Sequence, residues 1–276
     1  MAFLFLYIVR YWRCGMQNAK EDEDFKILLD GKLYKKYLQS VSYFHNYSYR
    51  NIFLIFQQMP HAVSVATYSG WKEFGRSVII GERSSIRINV PSASGRKLKT
   101  LLKEKLDPNT GTPILDANGK HIMESTVVQS SMKFEFVSVF DLSQTYGKEL
   151  TRIAGNLEED SDVYVALLDT LKFMIPKMED CKDTNRLVRE IVNARLGDAS
   201  DLLKASIAYI LYYRFCSNAG DYFDYVFDWD KENLDNFSFS THLDAMRNES
   251  DSLIRTIEEK FVEVCHQRGL NLVYSQ

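Results

Sequence analysis

Beyond about Gly155 the chain carries no strand signal. Apolar residues there recur every three or four positions, the spacing of a helix face. Before that point, short apolar–polar alternations stand between Gly, Pro, Asn and Asp, the pattern of strands and turns. The switch restricts the chain to an α+β class, with an amino-terminal domain of helices packed on a small antiparallel sheet and a mainly helical carboxy-terminal domain. We place the first domain at 24–155 and the second at 156–276. An apolar fraction of 45% with 26% charged residues is enough for a real core in each.

In the second half, helices are predicted over 161–175, closed by Pro176, and over 184–196, closed by Gly197. Two more are predicted over 199–216 and over 240–266, the last beginning at Ser240. In the first half, Phe25, Leu28, Leu29, Leu33, Tyr37 and Val41 fall at helical spacing, with a weak point at Gly31. Ser48 is suited to cap a second helix that Pro60 stops. A short strand "VSVATY" follows, then one or two helical turns in "SGWKEFG", with Ser69 as cap and Gly75 as terminator. "RSVII-GERS-SIRINV" reads as a β-hairpin, and residues 91–131 as a loop with turns at "DPNTGTP" and "DANGK". "DPNTG" lacks the Gly and Glu positions of an EF-hand loop and is read as a turn. "MKFEFVSVFDL" then returns as a strand, expected to join the hairpin's sheet.

Charge is segregated along the chain. Residues 1–150 hold 20 Lys and Arg against 14 Asp and Glu, and residues 31–105 hold 13 against 3. Residues 151–276 hold 14 against 23. The basic stretch coincides with an aromatic run, "YFHNYSYRNIFLIFQQMPHAVSVATYSGWKEFG". Cations that track phosphates beside flat rings that stack on bases are the two ingredients of a single-strand binder. The four cysteines are scattered without zinc spacing and read as free thiols of a reducing compartment.

The order of short motifs adds to this. "FHNYS-x-x-N", then Gln58-Met59-Pro60-His61-Ala62, then "W-x-x-x-G-R" and Gly81-Glu82-Arg83 stand in one series. "VFDLSQT-x-G" follows at Val139 to Gly147. Across roughly residues 24–150 this series resembles the amino-terminal domain of ArdC-type antirestriction proteins. The resemblance implies a single-stranded-DNA-binding module from a plasmid, phage or conjugative element. It also assigns roles to polar residues among the aromatics: Arg50 and Asn51 from the helix, Trp71 and Lys72 from the short turn, Arg76, Arg83 and Arg87 on or near the hairpin. Asn51, like Asn46, is equally read as a backbone hydrogen-bonder at the turn, and Trp71 as either stacking platform or core anchor. Ile52, Leu54 and Ile55 are expected in the core.

The same family carries a second domain that resembles a zinc metallopeptidase, with a His-Glu-x-x-His helix and a later acidic ligand. Zinc chemistry needs two imidazoles a helical turn apart. Here the histidines stand at 45, 61, 121, 242 and 266, with no pair four apart. The family's "E-A-E-S-V-A-Y" is replaced by "L-K-A-S-I-A-Y" at 203–209, with Ala205 at the ligand position. We therefore expect a remnant domain with no metal, no cofactor and no enzymatic activity.

Three functions fit the sequence. The first is a mobile-element protein that coats single-stranded DNA and shields it from restriction or other host nucleases in the bacterial cytoplasm. The second is a non-enzymatic inhibitor that sets its acidic helical domain against the basic channel of a host defence nuclease. The third is an adaptor that docks through the helices onto a larger complex. The apolar stretch Ala2–Val9 is far short of the ~20 residues that span a bilayer, so no membrane partner is expected. Residues 1–23 are read as an amino-terminal extension without targeting function, either a packing strand or sequence upstream of a start at Met16.

Overall fold

The computed structural model describes residues 24–92, 98–107, 111–116, 118–129, 134–150, 161–216 and 238–270. The extension at 1–23 and Cys14 lie outside the described residues. Helices and small antiparallel sheets occupy the amino-terminal half, and the described segments after it are helical.

Capping chemistry sets the helix ends. A 3-10 turn at Lys26–Leu29 stops at Asp30, whose carboxylate accepts from the amides of Lys32 and Leu33 and starts α1, Gly31–Phe44. The weak point at Gly31 is thus a break between two elements. Ser48 accepts from the amide of Asn51 and caps α2, Tyr49–Gln58. Downstream, α4 (Asp162–Met174), α5 (Thr184–Leu196), α6 (Asp201–Phe215) and α7 (Phe239–Gln267) follow the predicted spans closely. The α7 cap is Ser238, two residues before the expected Ser240.

Helix α6 is buried on nearly every side, from Leu202 through the run Ser206–Tyr212 to Phe215. A helix that is apolar all round belongs at the centre of a core. It packs against α1, α5 and α7, while α4 packs on α5 and α7, and α2 on α1. Described helices from both sides of residue 155 therefore share one core.

At its centre the Tyr34 hydroxyl lies 2.8 Å from Ser206 Oγ and 2.8 Å from His242 Nε2, joining α1, α6 and α7. Ser206 donates to the Leu202 carbonyl at 2.7 Å. Tyr34 then donates to Ser206 and accepts from His242, which puts the imidazole proton on Nε2. Burial pushes His242 down to about 4 and raises the Tyr34 phenol, so both are neutral at pH 7.

Among the described residues the strands form three small sheets. β1 (Val65–Ala66) pairs antiparallel with β6 (Phe134–Asp141), which also neighbours β3 (Ile86–Pro91). β2 (Arg76–Val78) pairs antiparallel with β7 (Thr145–Gly147), and β4 (Leu98–Glu104) with β5 (Met123–Gln129). This corrects two expectations. The predicted hairpin does not form: β2 and β3 each pair with a strand from beyond residue 133. The stretch 91–131, read as loop and turns, contains the β4–β5 hairpin. Within the two expected turn sequences, Gly111 has φ 67° and Gly119 φ 76°.

By compactness the described residues divide into two units. One takes the chain up to Ile86 and again from Val139, and the other takes Arg87–Ser138.

Candidate nucleic-acid interface

In the first unit a short helix, α3 (Tyr68–Glu73), is capped by Thr67, which accepts from the amide of Gly70 at 3.0 Å. The expected cap, Ser69, lies inside the helix. Trp71 anchors α3: its ring is 1% exposed and its indole N–H donates to the Phe140 carbonyl at 2.8 Å. Tyr68 and Lys72, one turn apart, stay at the surface, with the Lys72 ammonium 4.9 Å from the Tyr68 ring centroid. Phe74 follows, partly exposed and edge-on to Trp71, and Gly75 at φ 72° turns the chain into β2.

The β2–β7 ribbon is held by one guanidinium. Arg76 donates to Thr145 Oγ1 at 2.8 Å, to the Thr145 carbonyl at 3.0 Å, and to the carbonyls of Gly147 and Lys148. Gly147, at φ 129°, sits so close to β2 that a Cβ would lie 2.7 Å from the Gly75 carbonyl oxygen. Across this ribbon Tyr146 pairs with Ser77 and is more than half exposed.

Beyond β2 the chain makes a tip, Ile79–Arg83, held from below by the segment around Asp141. Asp141 is 1% exposed and accepts from the amides of Val63, Ser64 and Ser143 and from the Ser143 hydroxyl. Burial alone would raise its pKa, but the Ser143 bonds and the two further amides outweigh that and hold the carboxyl below its usual range. Gln144 completes a capping box on Asp141 and donates to Glu82 Oε2 at 3.0 Å and to the Arg83 carbonyl at 3.1 Å. The tip so fixed presents Ile80, 95% exposed, and the exposed Arg83 side chain.

The seven residues predicted to meet nucleic acid separate into two groups. Arg50, Lys72, Arg83 and Arg87 are exposed. Arg50 lies over the Tyr49 ring and donates Nε to its hydroxyl at 3.2 Å. Arg87 stands on β3 in the second unit, between buried Ile86 and Ile88. The other three are engaged within the fold. Asn51 is buried at the start of α2, bound through its amide to Ser48. Trp71 is the core anchor of α3 and offers no free ring face. Arg76 is committed to four acceptors on the β7 segment. Exposed rings in this region are Tyr68, Phe74 and Tyr146, none of which sequence reasoning had singled out. The signal for Tyr68 was its place one helical turn before Lys72.

Of the expected core residues, Ile52 and Ile55 are fully buried and Leu54 is half-buried. His45 is buried and hydrogen-bonded to Asp251 at 2.7 Å, while His61 is exposed. Ala205 lies on α6 as a half-buried residue. Among the described residues no group of three or more His, Cys, Asp and Glu is placed to hold a metal ion. No helix among them is long and apolar enough to cross a membrane. Cys216 and Cys265 are buried free thiols, and burial pushes Cys216 up to about 12.

No protein-family model matches the chain, and no curated protein matches it. Among solved structures, the chain is similar to the antirestriction protein ArdC from plasmid R388, crystallised in a metal-free form. The identity is 11% and the TM-score 0.32, over 77% of this chain and 84% of that one.

Proposed function

We propose that this is an anti-defence protein of a phage or plasmid, which binds single-stranded DNA and shields it from restriction or other host nucleases. The observation that carries the reading is the surface built on α3, the Ile79–Arg83 tip and the β2–β7 ribbon. On these elements Tyr68, Phe74 and Tyr146 are exposed, as are Lys72 and Arg83, over a frame fixed by Trp71, Arg76 and Asp141. Rings and cations on a rigid support suit a flexible strand, because stacking is tolerant of sequence and the cations follow the backbone. The frame residues belong to the motif series that resembles the ArdC amino-terminal domain, which supports the same reading.

The inhibitor reading draws less support. Carboxylates of the helical half are engaged by cations: Glu258 by Arg214, Asp251 by Arg255, Glu263 by Lys260, Glu249 by Arg195 and Asp169 by Arg268. A carboxylate already paired within its own helices attracts a basic channel less strongly than a free one.

Fluorescence anisotropy of a labelled single strand of about 30 nucleotides, against its duplex and over a salt series, tests the proposal. The expected result is salt-sensitive binding that prefers the single strand. Arg83→Ala should weaken it and reduce the logarithmic salt slope by about 0.7, the value for one phosphate of a single strand left without its cation. Tyr146→Ala should weaken it with the slope unchanged. Absence of binding at low salt would sink the reading and turn attention to a protein partner of the helices.

A further inference from the structure

The β2–β7 ribbon sets a further cation in step with an exposed ring. In its register Ser77 lies opposite Tyr146, Arg76 opposite Gly147 and Val78 opposite Thr145. The ladder runs one residue past β7, because the Lys148 amide donates to the Gly75 carbonyl at 3.3 Å. At the other end the Ile79 amide donates to the Gln144 carbonyl at 3.0 Å, so positions 144, 146 and 148 stay in phase. Side chains alternate across a strand, which puts Tyr146 and Lys148 on one face, about 7 Å apart along it. Both are exposed. Arg76 and Thr145 take the other face, where the guanidinium donates to Thr145 Oγ1.

The Lys148 backbone and stem are anchored. Its carbonyl accepts from Arg76, and its side chain lies along Gly75, with Cβ 3.6 Å and Cδ 3.9 Å from where a Gly75 Cβ would stand. Across the ribbon, Gly75 and Ser77 are small and leave the Tyr146 ring 57% exposed. Glu149, the next residue, is exposed but out of phase with this face. A stacking surface and a cation fixed at this offset suit one nucleotide, whose flat base and anionic phosphate are joined at a comparable separation.

We propose that Tyr146 and Lys148 form a single-nucleotide subsite of the strand-binding surface, the ring stacking on a base and the ammonium bonding the phosphate of the same nucleotide. The proposal rests on the single-strand reading above and adds Lys148 to the residues that contact the strand. A protein partner that offers a carboxylate to Lys148 is the competing occupant. It gains nothing from a base.

The test uses the full chain and two labelled probes, an oligothymidylate and an abasic strand of the same length. Lys148→Gln should weaken binding to oligothymidylate and lower the logarithmic salt slope by about 0.7, the value for one phosphate of a single strand. Lys148→Arg should keep the slope. Tyr146→Ala should lose about fivefold or more on oligothymidylate and nothing on the abasic strand, while Tyr146→Phe, which keeps the ring, should bind like the unmodified protein. Because one nucleotide spans both groups, the loss in Tyr146→Ala/Lys148→Gln should fall short of the product of the single losses by about twofold or more. Melting curves check that every variant is folded. An unchanged salt slope in Lys148→Gln, or single losses that multiply in full, overturns the subsite while the single-strand reading stands. Equal losses of Tyr146→Ala on both probes overturn it too, because they show a structural role for the ring. If the unmodified protein does not bind oligothymidylate at low salt, both readings fail together.

Discussion

The hydroxyl of Tyr34 and the carboxylate of Asp141 are both buried among hydrogen-bond partners, but the two clusters are built from different material. Around Tyr34 the partners are neutral side chains from two other helices, at positions 206 and 242. Around Asp141 they are mostly backbone amides within a few residues of it or on the adjoining 63–64 segment. Three helices, each with its own backbone bonds satisfied, need only a neutral contact where they cross. Loops and two- or three-residue strands have unsatisfied amides, and one carboxylate can accept from several of them. The helical core is thus stabilised by burial, with a polar pin at its centre. The strand frame under the proposed binding surface depends on two charged groups, the Asp141 carboxylate and the Arg76 guanidinium.

The largest effect should therefore come from the strand frame. Asp141→Ala removes a buried carboxylate and leaves the part-buried amides of Val63, Ser64 and Ser143 without their acceptor, and should cost about 4 kcal/mol. Urea unfolding measures it; a loss below about 1 kcal/mol would show that the clusters do not differ as described.

Acid separates the two regions next. His242 is neutral in the fold with its pKa pushed down to about 4, so the unfolded chain takes up a proton first as pH falls. The stabilisation is full above about pH 6.5 and is lost between there and about 4, roughly 3 kcal/mol in all. His45 acts in the same direction: burial and then Arg214 lower its pKa, against the pull of Asp251. Asp141 is the reverse case, an acid held ionised, and its contribution persists until pH falls below the ordinary carboxylate range. Stability measured from pH 7 to 4 should decline, and His242→Gln should flatten that decline. A flat profile in the unmodified protein would rule out the buried neutral imidazole.

The smallest of the three effects is steric. Gly147→Ala places a methyl group 2.7 Å from the Gly75 carbonyl oxygen, at a φ of 129° that residues with a Cβ avoid. The β2–β7 ribbon should give way at a cost of about 2 kcal/mol. Weakened single-strand binding, greater than the stability loss explains, would tie the ribbon to the proposed surface.

Much of this architecture was legible in the residues alone. Ser48, Pro60, Gly75, Pro176 and Gly197 mark element ends because capping and termination depend on one side chain and its nearest amides. Helices α4 to α7 were legible because their apolar period is local. The α+β class followed from the change of period near Gly155. Strand partners were not legible. "RSVII" and "SIRINV" each carry a strand pattern, but alternation states which face is buried and not which strand lies alongside. Their partners lie more than forty residues away, at β7 and β6.

The same division holds for the candidate surface. The sequence identified a basic, aromatic segment, and composition alone is enough for that. Which rings are displayed was decided by tertiary structure. Trp71 went inward because the Phe140 carbonyl accepts its N–H, and Arg76 was taken up by the carbonyls of β7, while Tyr68 and Tyr146 stayed outside. Local chemistry determined where helices begin and end and what kinds of residue are available. Contacts between segments distant in the chain decided which of those residues meet solvent, because burial is a property of the packed whole.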